Sequence, residues 1–326
     1  MVTIKQGDCI DVMSTMPAQS VNCCVTSPPY YGLRDYGVNG QIGLEKSPDE
    51  FVAKMVQVFR GVHRVLRDDG TLWVNLGDSY SSHAGQRKET DRAGIKQQSN
   101  TASSRAPSRC VPELGAKQLI GIPWRVAFAL QADGWILRSD IIWHKPNPMP
   151  ESVTDRCTKS HEYIFLLSKS PKYYFDQDAI KEPAICGANG SLFHSGKTGE
   201  HQLGRSSTKP RPSKKRGEFN GKTNALPGQE AFRAVVDYRN KRSVWTVQTY
   251  SYAEAHFATF PPNLIRPCIL AGCPKGGTVL DVFGGSGTTG EVSEQEGRNS
   301  ILIELNPDYV TLARRRTQQL GLLHTA

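Results

Sequence analysis

The spacing of apolar positions changes repeatedly along the chain. Short runs dense in branched and aromatic residues, "VTIKQGD" (2–8), "VNCCVTS" (21–27) and "TLWVNLGD" (71–78), read as strands, the first ending at Asp8. Between the second and third, "SPDEFVAKMVQVFRGVHRVLRDDG" (47–70) repeats at helical spacing. Phe51, Met55, Val58, Val62 and Val65 make its apolar stripe. Ser47 is placed to cap it, Pro48 suits the first turn, and Glu50 completes a capping box. Farther on, "QLIGIPWRVAFALQADG" predicts a helix, and "WILRSDIIWHK" and "HEYIFLLSK" predict strands. "GTVLDVFGG" and "SILIELNPD" are strand-then-loop units, and "DYVTLARRRTQQL" closes as a helix. Strands alternating with helices predict an α/β domain on a mainly parallel sheet.

Two stretches break that rhythm. Residues 81–118 are polar and nearly without large apolar side chains, as in a solvated, flexible insert. Residues 186–245 are rich in Gly, Ser, Lys and Arg. Within them Arg205, Lys209, Arg211, Lys214, Lys215, Arg216 and Lys222 face a single acid, Glu218, in an 18-residue span. That run reads as a DNA-facing insert that orders on contact, and "EAFRAVVDYRNKRSVWTV" after it has enough apolar residues to fold. The expected organisation is a catalytic half (1–80), a polar insert (81–118), a continuation (119–180), a basic region (181–250) and a cofactor half (251–326).

Composition narrows the class. A chain of 326 residues holds one large domain or a domain with a sizeable insertion, and a net charge of +9 favours a polyanionic partner. The eight cysteines are scattered with no C-x-x-C pair, so neither a zinc site nor a disulfide framework is expected, and no metal. No apolar run reaches membrane-span length, and "MVTIKQGDCID" lacks the apolar region of a signal peptide. A cytoplasmic protein without a membrane partner is expected.

Two loops carry candidate chemistry. "TSPPYYG" (26–32) ends a strand in two prolines, which offer no N–H and fix φ, leaving a stiff corner that presents Ser27 and Tyr30. "TVLDVFGGSGTTG" (278–290) is a strand ending in Asp281, then glycines that let backbone approach a ligand. The next strand ends in Glu304, where open α/β folds place a ribose-binding carboxylate. The loop does not read G-x-G-x-x-G, which argues against a dinucleotide.

Taken together, these motifs resemble those of the DNA amino-methyltransferases, and the resemblance covers most of the chain. The catalytic motif of that family, Ser/Asp/Asn-Pro-Pro-Tyr, stands here as Ser27, Pro28, Pro29 and Tyr30. Its cofactor motif D-P-F-x-G-S-G-T stands as Asp281, Val282, Phe283, Gly284, Gly285, Ser286, Gly287 and Thr288, with Val282 in place of the usual proline. "HFATFPPNLI" (256–265), with Thr259 and Phe260, resembles the segment against the methionine end of the cofactor. "IIWHKPNPMP" and "HEYIFLLSKSPKYYFD" resemble target-side strands. The resemblance implies a Rossmann-like methyltransferase sheet, mostly parallel with one antiparallel strand. The catalytic corner precedes the cofactor loop, which is the family's β-class, circularly permuted order, with a target-recognition region inserted between them.

The resemblance also implies S-adenosylmethionine as cofactor and double-stranded DNA as substrate. Asp8 either contacts the cofactor's adenine or simply caps the next turn. Tyr31, Arg34 and Asp35 either position substrate or are structural, and His144 and His161 read as structural. An exocyclic amine is a poor nucleophile because its lone pair is delocalised. The Ser27 oxygen and a Pro28 carbonyl can take its two hydrogens, and Tyr30 can stack on a base that has left the duplex. The Ser-Pro-Pro-Tyr form resembles the cytosine-N4 enzymes, with adenine N6 as the alternative. RNA or protein-amide methylation, or a DNA-binding protein without catalysis, are more distant readings. A cognate restriction endonuclease as functional partner, and a monomer or homodimer, are compatible with the family.

Overall fold

Ser47 Oγ accepts from the Glu50 amide at 3.1 Å, and helix α2 (Pro48–Val65) begins there. The Glu50 carboxylate accepts not from Ser47 but from the Lys46 amide, at 3.0 Å, so the capping box closes one residue early. Phe51, Met55, Val58, Val62 and Val65 are all fully buried. Burying each contributes about 1.5–3 kcal/mol, which fixes the helix on the sheet more firmly than its propensity does. The helix stops at Val65, short of the expected residue 70, because Leu66 already enters a strand and pairs with Val21.

The computed structural model describes residues 1–33, 35–81, 111, 113–184, 238–249 and 259–323, with side chains of the closing helix through residue 318. The expected 81–118 insert and the Arg205–Lys222 run lie largely or wholly outside the described residues. The described residues form two units. The first, Met1–Ile180 with Arg242–Ala326, holds an eight-stranded sheet. Its strands are β1 (Val2–Gln6), β2 (Val21–Thr26), β3 (Leu66–Leu76), β4 (Ile136–His144), β5 (His161–Ser168), β8 (Val244–Thr246), β9 (Thr278–Asp281) and β10 (Asn299–Glu304). Their spatial order is β1-β10-β9-β2-β3-β5-β4-β8. Only β5 runs against its neighbours. The sheet is thus mostly parallel with one antiparallel strand.

Both faces are covered, as a parallel sheet requires. On one face α1 (Cys9–Ser14), α2 and α3 (Ile122–Ala132) bury Met13, Phe59 and Leu130 with Cys24, Leu72, Val74 and Phe165 of the strands. On the other, α4 (Pro262–Gly272) and α5 (Thr288–Gln295) bury Leu264, Ile269 and Val292 with Cys23, Val25, Trp73 and Val279. Successive residues 23, 24 and 25 therefore serve alternate cores, the period-two signature of a strand buried on both sides. Helix α6 (Pro307–Leu323) packs beside α5 and β1.

The second unit is Lys181–Lys241. Its described part is a short antiparallel ribbon, β6 (Glu182–Pro183) with β7 (Tyr238–Arg239), joined by the Arg239–Glu182 ion pair at 2.9 Å. The first unit resumes at Arg242, inside the range expected for the basic region, because Val244–Thr246 pair with β4.

Candidate active site

Strands β1, β2, β3, β9 and β10 are mutually parallel, so their carboxyl ends share one edge of the sheet. A cavity of about 270 Å³ lies along that edge. It is the crevice that open α/β sheets leave for ligands. Ser27 to Tyr30 line it together with Phe283, Gly285, Ser286, Thr288 and Glu304, residues some 250 positions away in the chain.

The proline corner rests on a polar network. The Ser27 hydroxyl lies 3.3 Å from the Asn75 carbonyl and 3.4 Å from its Oδ1, both weak contacts. Asn75 Nδ2 in turn donates to Glu162 Oε2 at 3.2 Å and to the Tyr163 carbonyl at 3.1 Å. The Tyr30 hydroxyl donates to Glu162 Oε2 at 2.6 Å, and the other Glu162 oxygen takes the Lys145 ammonium. Burial, reinforced by the Glu162 carboxylate, pushes the Tyr30 phenol well above its ordinary range, so it stays a donor. Gly77 makes room for this ring: a Cβ there would collide with Tyr30 Cε2. Lys145 lies 4.3 Å over the Trp143 ring, and both line the same cavity. Asn75, Glu162 and Lys145 were not singled out in the sequence. Asn75 left a trace there, as a lone amide inside the apolar run of β3, and it is 4% exposed.

At the other end of the cavity, Glu304 accepts the Gly285 amide through Oε2 and the Asn306 amide through Oε1, each at 2.8 Å. Burial pushes its carboxyl above the usual range. The glycines divide their work. Gly285, at φ +48°, has only Phe283 O within 4 Å of where a Cβ would stand, so it leaves its side open. Gly287, at φ +86°, is pressed 3.0 Å against Ala313 of α6 and does not line the cavity.

Arg316 of α6 holds this loop from behind. It is 7% exposed, donates to Ser286 Oγ at 3.1 Å and Thr288 Oγ1 at 2.9 Å, and pairs with Glu291 at 2.5 Å. Arg316→Leu should free both hydroxyls and weaken cofactor binding about tenfold, while turnover at saturating cofactor changes little. Calorimetric titration beside saturation kinetics checks this; unchanged affinity in a folded variant would show the arginine to be packing only.

Asp8 lines the cavity while capping α1, accepting from the Ile10 amide at 2.8 Å and the Asp11 amide at 3.2 Å, so the two readings of this residue are compatible. Thr259 and Phe260 also line it. Asp281 does not. It is 1% exposed, and its oxygens accept from Thr26 Oγ1 (2.7 Å), the Phe283 amide (3.0 Å) and Thr289 Oγ1 (2.6 Å). The carboxylate thus fastens the catalytic strand β2 to the glycine loop, as a structural tie. His144 meets Thr246 Oγ1 at 3.1 Å, His161 stands edge-on to Tyr163, and neither lines the cavity. Tyr36 lines it, whereas Arg34 lies outside the described residues. Among the described residues no cluster of potential ligands could hold a metal ion, and no helix is long and apolar enough to cross a membrane.

Fold and crevice together define a methyltransferase. A family model described as "DNA methylase" matches residues 21–315, and the chain belongs to this family of cytosine-N4 and adenine-N6 DNA methyltransferases. It is 46% identical over 317 residues to the type II methyltransferase M.Cfr9I of Citrobacter freundii, covering 97% of this chain and 87% of that one. It is 44% identical over 311 residues to M.SmaI of Serratia marcescens, covering 95% and 88%. Among solved structures, the cytosine-N4-specific PvuII DNA methyltransferase shares the fold with a TM-score of 0.61 at 17% identity, covering 97% of this chain and 86% of that one. A modification methylase of Thermus thermophilus, complexed with S-adenosylmethionine, matches with a TM-score of 0.55 at 21% identity over 98% and 95%. The enzyme is a DNA methyltransferase of the type II restriction-modification kind, and S-adenosylmethionine is its cofactor.

Proposed function

We propose that the enzyme methylates the N4 amine of cytosine in a base flipped out of double-stranded DNA. The observation that carries this reading is the Ser27 hydroxyl at the end of β2, weakly held by Asn75 and beside the Lys145–Glu162 pair in one cavity. A hydroxyl with only long contacts can turn to accept from an incoming amine, and Pro28 supplies a carbonyl on a stiff backbone. Lys145, an obligate donor, suits cytosine, whose N3 and O2 acceptors lie beside the amine on one edge. Adenine N6 is the second reading; its amine would meet the same two acceptors. The PvuII enzyme, named as cytosine-N4-specific, shows that this fold accommodates the preferred chemistry.

The cavity fits the cofactor in kind. Glu304 offers a strand-end carboxylate for ribose hydroxyls, Gly285 leaves an open backbone, Phe260 and Phe283 give apolar walls, and Asp8 stands near the far rim. When bound, S-adenosylmethionine supplies an electrophilic methyl group on its sulfonium sulfur. The chain's own contribution is to hold the amine. Ser27 Oγ and the Pro28 carbonyl accept its two hydrogens, favouring a pyramidal nitrogen whose lone pair is freed from the ring. The Tyr30 ring, seated on Gly77 and tied through its hydroxyl, is a fixed surface for the base. After transfer the nitrogen is charged and acidic, and its proton leaves to Ser27 or water. Phosphate contacts come in this reading from Arg205, Lys209, Arg211, Lys214, Lys215, Arg216 and Lys222, and a restriction endonuclease of the same specificity is the functional partner.

Nuclease digestion of methylated DNA followed by nucleoside mass spectrometry tests the base. N4-methylcytosine is expected. N6-methyladenine as the sole product would overturn the cytosine assignment.

A further inference from the structure

The loop that follows β4 carries a side chain that neither the core nor the cavity uses. Met149 is 85% exposed, more than any other large hydrophobic side chain among the described residues. A lone exposed methionine is ordinary on a protein surface. Three observations set this one apart.

The loop is fastened rather than free. Lys145 N donates to the Ser160 carbonyl at 2.8 Å, closing residues 145–160 at the root. Asn147 Oδ1 accepts the Thr249 amide at 3.1 Å, and Glu151 Oε2 accepts from Arg156 at 2.6 Å and from the Lys159 amide at 3.2 Å. Lys117 pairs with Asp155 at 2.7 Å, and the Arg156 guanidinium lies 4.0 Å over the Tyr80 ring. Second, Met149 stands between Pro148 and Pro150, with Pro146 before them. Three prolines in five residues limit φ and keep the tip from folding back onto the protein. Third, the loop springs from the active-site rim. Lys145, four residues before Met149, lines the cavity, so Met149 lies within about 14 Å of it.

An enzyme that works on a flipped base leaves a gap in the duplex, and an apolar wedge that fills such a gap offsets the cost of unstacking. Methionine is unbranched and polarisable, suited to the irregular slot between two base pairs. The acids nearest the tip, Glu151 and Asp155, are already paired with Arg156 and Lys117, which limits their repulsion of phosphate.

We infer that Met149 is a duplex wedge, entering the stack where the target base has left. This rests on the base-flipping reading above. It makes Met149 a positioning residue, outside the chemistry, whose value depends on the target base being paired.

The test compares wild type, Met149→Ala and Met149→Leu on two duplexes. Both contain the site found by mapping modified bases in DNA from an expressing cell. One is fully paired, and the other carries an abasic position opposite the target base. On the paired duplex Met149→Ala should lower kcat/KM on the order of 10- to 100-fold, the range set by a few kcal/mol of unstacking. Met149→Leu should keep most of the activity. On the abasic-opposite duplex, Met149→Ala should stay within about twofold of wild type, because the target is already unpaired. An equal loss on both duplexes, or no loss on the paired one, would overturn the wedge. The base-methylation reading fails separately, if the wild-type product contains no methylated base.

Discussion

A Ser27→Ala variant should bind S-adenosylmethionine with unchanged affinity and turn over on the order of 10²-fold more slowly, a loss typical of one preorganised polar group aimed at the reacting centre. The separation of effects follows from the architecture. Ser27 ends β2 and touches Asn75, whereas the residues proposed to hold the cofactor's ribose and loop end β9 and β10. Removing Oγ withdraws an acceptor from the target amine and leaves Glu304, Gly285 and Arg316 as they are. Single-turnover kinetics with preformed complex, beside calorimetry with cofactor, give both quantities. A parallel collapse of cofactor affinity would place Ser27 in the wrong half of the cleft.

Asp281→Ala should cost about 3–5 kcal/mol of stability, since it strands two hydroxyls and an amide at a position 1% exposed. Cofactor binding should weaken with it, through release of the glycine loop from β2. Asp281→Asn separates charge from contact. Burial raises the Asp281 carboxyl above its ordinary range, and its three donors pull the other way without cancelling that. A raised acid binds its proton more tightly folded than unfolded. Its favourable contribution is complete below the unfolded value near 4 and is lost as pH rises through the folded one. Asparagine does not titrate, so the stability of Asp281→Asn relative to wild type should improve as pH rises from about 4 toward neutrality. Denaturant titrations at several pH values read that difference; a trend of the opposite sign would mean that the three donors outweigh burial.

What the sequence disclosed depended on whether the signal was local. The α2 stripe and its cap are local, and Ser47, Phe51 and Met55 behave as their spacing says. Asp281 is the instructive case. A strand-ending acid before glycines looks like a ligand contact, yet its partners are Thr26, 255 positions away, and Thr289, and only the register of β2 against β9 shows it. The Asn75–Glu162–Lys145 network was hidden for the same reason. Its members stand on β3, on β5 and just past β4, and antiparallel pairing of β5 with both strands assembles it. The short helices α1 and α5 were too brief for periodicity to declare.

The pairing of β2 with β9 has a bearing on how the chain is born. Leu280 follows its neighbour Cys24 by more than 250 residues, so β2 has β3 on one side and nothing on the other until the ribosome has made almost the whole chain. At roughly 5–20 residues per second that interval is roughly 13–50 seconds. Throughout it an apolar strand holds out unpaired amides and carbonyls, a template for a neighbouring nascent chain. Yield of active enzyme should therefore depend on crowding of polysomes and on holding chaperones, more than on the stability of the finished fold.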